Sequence, residues 1–103
     1  MFCQSLNTQT VDELNSLGVK YAKKEKLDEA FSAFDKAINL YPNSPGAYAN
    51  RGNIHRSRGE FELAIADYSK FLNLSPDNID VLYARAAMYK EVKEFEKAIS
   101  DYS

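Results

Sequence analysis

Residues 50–76, NRGNIHRSRGEFELAIADYSKFLNLSP, read as two short helices joined by a tight turn at Ser57–Gly59 and closed by a proline. The chain repeats this pattern on both sides at a single offset. Gly18 and Gly52 lie 34 residues apart, and so do successive members of the set Ala30, Ala64 and Ala98. Leu40 with Leu74 and Pro42 with Pro76 share the offset, as do Leu27, Phe61 and Phe95, and Phe34, Tyr68 and Tyr102. A period of this length built from helix–turn–helix units marks an array in which each unit buries its apolar face against its neighbours.

Composition narrows the function classes. A chain of 103 residues is one domain with a modest core, and 45% hydrophobic with 27% charged residues is the balance of a soluble globular chain. A net charge of −2 leaves no overall footprint for nucleic acid or anionic lipid. One cysteine, Cys3, and one histidine, His55, support neither a disulfide framework nor a metal cluster. There is no glycine-rich phosphate loop, no paired-acid cleft signature and no nucleophile–base pair, so no catalytic residue, metal or cofactor is expected and the chain is not expected to be an enzyme. No apolar run approaches the ~18 residues of a membrane span, and MFCQSLNTQT is not built like a signal peptide. The expected setting is the reducing cytoplasm.

Along the chain, Thr10-Val-Asp-Glu13 fits a capping box that opens a first helix to about Lys23. Val11, Leu14, Leu17, Gly18 and Tyr21 form its buried stripe. The stripe of the second helix is Leu27, Ala30, Phe31, Phe34, Ala37, Ile38 and Leu40, and Pro42 ends it. Ser44-Pro45 supplies an N-cap and a first helical residue for a third helix that runs to about Arg58. A fourth covers roughly 60–73, a fifth about 79–90, and a sixth starts near Glu94, with Phe95, Ala98, Ile99 and Tyr102. Gly18 with Ala30, Gly52 with Ala64, and Ala86 with Ala98 sit where paired helices should cross most closely. The cations at 23–26 and 56–58 suit helix C-termini better than a nucleic-acid stripe, because acids follow each cluster.

These residues resemble the tetratricopeptide repeat family, whose unit carries a large apolar residue, Leu-Gly, Tyr, Ala, an aromatic, Ala and Pro. The first unit shows it as Leu14, Leu17-Gly18, Tyr21, Ala30, Phe34, Ala37 and Pro42. The second shows Tyr48, Gly52, Ala64, Tyr68 and Pro76, and the third Leu82, Ala86, Tyr89, Ala98 and Tyr102. Arg51 and Arg85 stand in place of the leucine, His55 in place of the tyrosine as a partly buried packing residue, and Phe71 in place of the second alanine, where it crowds the contact between the fourth and fifth helices. The resemblance implies an all-α superhelix of three helix–turn–helix repeats, 11–44, 45–78 and a truncated 79–103, behind an N-terminal extension of residues 1–10.

The resemblance also implies a non-enzymatic scaffold that binds a peptide or partner protein in a concave groove lined by the first helix of each unit. Its groove positions fall on Asn15, Ser16, Val19 and Lys23; on Ala49, Asn50, Asn53, Arg56 and Ser57; and on Tyr83, Ala84, Ala87 and Lys90. One subclass of the family grips the C-terminal carboxylate of chaperone tails. Its clamp positions fall here on Asn15, Val19, Asn50, Asp80 and Ala84, of which only Asn50 agrees, so tail peptides ending in Glu-Glu-Val-Asp are not expected to bind. An alternative role is architectural. The sixth helix stops about five residues short of the pattern, which implies a fragment of a longer array or two copies meeting through Tyr89, Val92, Ile99 and Tyr102.

Overall fold

The computed structural model describes residues 10–102, which form six helices: α1 Val11–Lys23, α2 Leu27–Leu40, α3 Pro45–Ser57, α4 Phe61–Leu74, α5 Ile79–Glu91 and α6 Phe95–Tyr102. No strand occurs among the described residues. The helices pair as α1 with α2, α3 with α4 and α5 with α6, and each pair stacks on the next through α2–α3 and α4–α5. The result is an elongated body of 53 × 27 × 16 Å.

Local chemistry sets each helix end. The Thr10 hydroxyl accepts from the Glu13 amide at 3.1 Å while the Glu13 carboxylate accepts from the Thr10 amide at 2.8 Å, so the capping box forms. Ser44 occupies the N-cap of α3 with Pro45 behind it, but its side chain makes no capping bond. At α5 Asn78 does this, accepting from the Val81 amide at 3.0 Å. Each intra-unit turn closes in the same way: Lys26 N–H to Tyr21 C=O, Glu60 to His55 and Glu94 to Tyr89, at 2.9, 2.9 and 2.7 Å. The closure needs one residue with positive φ, found at Glu25 (58°), Gly59 (76°) and Lys93 (65°). Only the second turn uses glycine, the residue without a Cβ penalty there.

The close approach within a unit is ring on backbone. A Cβ at Gly18 would lie 2.4 Å from Phe34 Cε1, and one at Gly52 2.8 Å from Tyr68 Cε1. The expected glycine–alanine crossing is thus a glycine–aromatic one, with Ala30 and Ala64 fully buried beside it. In the third unit Ala86 already carries a methyl there, and Tyr102 lies instead against Tyr83, ring centroids 5.3 Å apart. Phe71, expected to crowd the α4–α5 contact, is accommodated: it is buried with Tyr48, Leu72, Val81 and Met88. Two expected core residues, Leu40 and Phe95, are not covered and are 50% and 56% exposed. Ile99 and Tyr102, expected at an open apolar edge, are 64% and 44% exposed. Leu17 is only half-buried. Cys3 and the rest of residues 1–9 lie outside the described residues.

Phe34 is 2% exposed and has no room to retreat from a new methyl at position 18. Gly18→Ala is expected to destabilise by about 2 kcal/mol even though alanine is the better helix former. Gly46→Ala, which would meet only Asn15 Nδ2 at 3.3 Å, should change stability far less. Denaturant midpoints of the two variants check the difference.

Candidate functional site

The residues expected to line a groove lie on the first helix of each unit, α1, α3 and α5. Along α1, Asn15, Val19 and Lys23 recur every four residues and, with Ser16 and Lys20, line a depression of about 410 Å³. The Asn15 amide reaches the first turn of α3, where Gly46 leaves it room. Its Oδ1 is buried and accepts no hydrogen bond among the described residues. Val19 also packs on the cluster of Ala30, Phe34 and Ile54, so part of its surface belongs to the core.

On α3, Asn50 is half-buried and Arg56 exposed, about one and two-thirds turns apart. Asn53 is tied to the second helix of its unit: the buried Tyr68 hydroxyl donates to Asn53 Oδ1. That bond leaves the Asn53 amide nitrogen as its remaining side-chain donor. The Tyr68 pKa is raised by burial, with Arg56 opposing the shift and Asp67 adding to it, which places the Arg56 charge near the same hydroxyl. On α5, Tyr83 is 51% exposed and Lys90 is exposed, whereas Ala87 is half-buried against the α4 core.

A second set of polar residues was not anticipated from the sequence. Arg51 projects from α3 between two helices. Its Nε and Nη2 donate to both oxygens of Asp67 on α4 at 2.8 Å, and its Nη1 donates to Asp35 on α2 at 2.9 Å. Arg85 repeats this one unit later, with a bidentate pair to Asp101 on α6 at 2.7 Å and a bond to Ser69 Oγ on α4 at 3.1 Å. Each arginine therefore joins its own unit to the preceding one. Both guanidinium pKa values are raised, by the hydrogen bonds to Asp67 and Asp101 respectively, against burial that lowers them. His55 completes the α3–α4 cluster. It is buried, its Nδ1 lies 2.8 Å from Glu60 Oε1 and its Nε2 3.6 Å from Asp67 Oδ2, and its ring meets Phe31 edge-on. The expected packing residue is thus also a polar link. The signal was present in the chain: positions 51 and 67, Arg and Asp, recur as 85 and 101, while the first unit has Leu17 and Ala33 there.

The profile of the family described as tetratricopeptide repeat matches residues 17–89. The chain belongs to the tetratricopeptide repeat family. Among curated relatives, the chloroplastic tetratricopeptide repeat domain-containing protein PYG7 of Arabidopsis thaliana is 35% identical over 51 residues, which is 50% of this chain and 17% of that protein. Tetratricopeptide repeat protein 36 of Caenorhabditis elegans is 38% identical over 55 residues, 53% of this chain and 31% of the relative. These matches take in less than a third of either relative's length. Among solved structures, the first tetratricopeptide repeat domain of Spaghetti (RPAP3), bound to the HSP90 peptide SRMEEVD, superposes with a TM-score of 0.87 at 26% identity, over 91% of this chain and 75% of that one. MamA superposes with a TM-score of 0.86 at 22% identity, over 90% of this chain and 54% of that one, and shares the fold. No helix among the described residues is long and apolar enough to cross a membrane.

Asp67 is 7% exposed at its side chain and depends on Arg51 for charge compensation. Arg51→Leu alone should cost about 3 kcal/mol by leaving that carboxylate buried without its partner. Arg51→Leu with Asp67→Ala recreates the Leu17/Ala33 pair of the first unit and should recover most of the loss. A double-mutant cycle on chemical denaturation measures the coupling, and additive losses would contradict it.

Proposed function

We propose that this tetratricopeptide repeat domain is a non-enzymatic scaffold that binds an extended peptide segment of a partner protein across α1, α3 and α5. One observation carries the reading: Asn15 Oδ1 on α1 is buried without a hydrogen-bond partner among the described residues. Asn50 on α3 is half-buried. Desolvated amides of this kind favour a ligand that returns their hydrogen bonds, and a peptide backbone offers both donors and acceptors. Val19, Ala87 and Tyr83 supply apolar surface between them, and Lys23, Arg56 and Lys90 supply charge. Support comes also from the Spaghetti (RPAP3) domain, which is similar in fold and holds a peptide.

The test uses a peptide selected against the protein from an unbiased display library. Asn50→Ala should weaken its binding by about 1 kcal/mol in calorimetric titration, with the thermal midpoint unchanged. A tail peptide ending in Glu-Glu-Val-Asp, titrated alongside, should show no micromolar affinity, because Asn15, Val19, Asp80 and Ala84 replace the clamp residues. Unchanged affinity in Asn50→Ala moves the site elsewhere.

A second reading is favoured by a separate observation. Ile79, Tyr83, Phe95, Ile99 and Tyr102 are 44–64% exposed at the α6 end. Apolar surface of this kind marks an interaction edge, and it would let α6 stack on a second copy. Light scattering coupled to size exclusion should then show a mass that rises with concentration and falls back to the monomer in Ile99→Lys. A monomeric mass at every concentration removes this reading.

A further inference from the structure

Arg58, at the C-cap of α3, fills the joint between the first two units. It reaches back to α2, where its guanidinium donates to Asp28 and lies 5.2 Å from the centre of the Phe31 ring. His55 meets the same ring edge-on and engages Glu60 at 2.8 Å. The joint between α4 and α5 repeats this frame 34 residues on with one part exchanged: the C-cap of α5 is Val92. A valine is short and carries no charge, and it is only half-buried. Around it a depression of about 390 Å³ opens, lined by Glu62, Ile65, Tyr89, Val92, Glu94 and Lys97.

The partners of the exchanged cation remain in place. Glu62 keeps the acid of Asp28, and among the described residues it makes no ion pair. Glu94 keeps the acid of Glu60. An aromatic ring is kept too, although it changes helix: Ile65 stands for Phe31, while Tyr89 stands for His55. Two carboxylates beside a ring and an aliphatic wall suit the planar, weakly hydrated head of an arginine better than a strongly hydrated ammonium.

One cation, Lys97, lines the depression. It pairs with Glu94 at 3.2 Å and stands 5.8 Å from the centre of the Tyr89 ring. The Lys97 and Glu94 side chains are 63% and 50% exposed, so this pair contributes little. It also stays within the third unit and leaves Glu62 of the preceding unit unmatched. Two acids against one base give the lining a surplus of negative charge.

We propose that this depression binds an arginine side chain of a partner protein, which takes the place in the second joint that Arg58 takes in the first. The guanidinium donates to Glu62, lies against Tyr89 and displaces Lys97 from the ring. None of the lining residues is a groove position, so the site is separate from the groove and does not rest on the groove reading.

The experiment is a titration of the isotope-labelled protein with the blocked peptide acetyl-Gly-Arg-Gly-amide, followed by amide chemical shifts. The control carries citrulline, which has the same shape without the charge. The arginine peptide should shift Glu62, Ile65, Tyr89 and Glu94 together and bind about fivefold more tightly than the control. Glu62→Gln should weaken it about fivefold, and Glu96→Gln, the same charge change on α6 outside the lining, should leave it within about twofold. Lys97→Gln should tighten it. Val92→Arg supplies the cation from the chain itself, so it should remove binding and raise the thermal midpoint. No shift from either peptide, equal binding of the two, equal loss from both glutamine variants, or full binding in Val92→Arg overturns the proposal. Shifts confined to residues 15–23 and 49–57 would put the arginine in the groove, which overturns this site and leaves the groove reading standing.

Discussion

Tyr68 makes the contact on which the rest depends. Its ring edge, at Cδ1 and Cε1, lies against the backbone at Gly52, which brings α3 and α4 close enough to seal Ala64 completely. Its buried hydroxyl donates to Asn53 Oδ1 on α3. One side chain thus sets the spacing within a unit and fixes a polar residue of the groove. Phe34 does the first of these jobs against Gly18 without the second, since it carries no hydroxyl. The third unit has Ala86 at this place and a displaced Tyr102, and most of the exposed large apolar side chains lie there.

The arginine clips show how the array tolerates charge inside a joint. A leucine at position 51 or 85 would fill the space between three helices by apolar packing, as Leu17 does in part. An arginine there is stable only because a carboxylate stands sixteen residues on, reached in bidentate geometry, with a further acceptor on the preceding unit. Such a pair adds little net stability over an apolar pair of the same volume, but it penalises any slip of one unit against the next, because a slip strands a buried charge. Stiff joints are useful to a groove spread over several helices: its residues are presented at fixed spacing, and less ordering entropy is lost on binding.

The arginines that join helices each meet both a carboxylate and an aromatic ring. Arg51, Arg58 and Arg85 are absorbed into contacts between helices, with Phe31 and Tyr89 beneath guanidinium planes. Lys23, Arg56 and Lys90 are exposed to solvent.

The repeat period, the helix count, the capping box and the turns were all decided by the chain itself, because each depends on residues within a few positions of one another or on a spacing that recurs. The aromatic set at 34, 68 and 102 announced a core, and the glycines announced a close approach. What the glycines approach was settled by the tertiary structure, since the choice between an alanine and an aromatic ring depends on how two helices rotate about their axes. For the same reason the Arg51–Asp67 pair was overlooked, although its 34-residue echo stood in the sequence. An arginine on a helix is ordinarily solvated, and only the placement of α2 and α4 on either side of it turns it into a bridge. Burial followed the same rule. Leu40 and Phe95 keep the helical period of a core stripe, yet a period specifies only a face, and whether that face is covered depends on which helix lies against it.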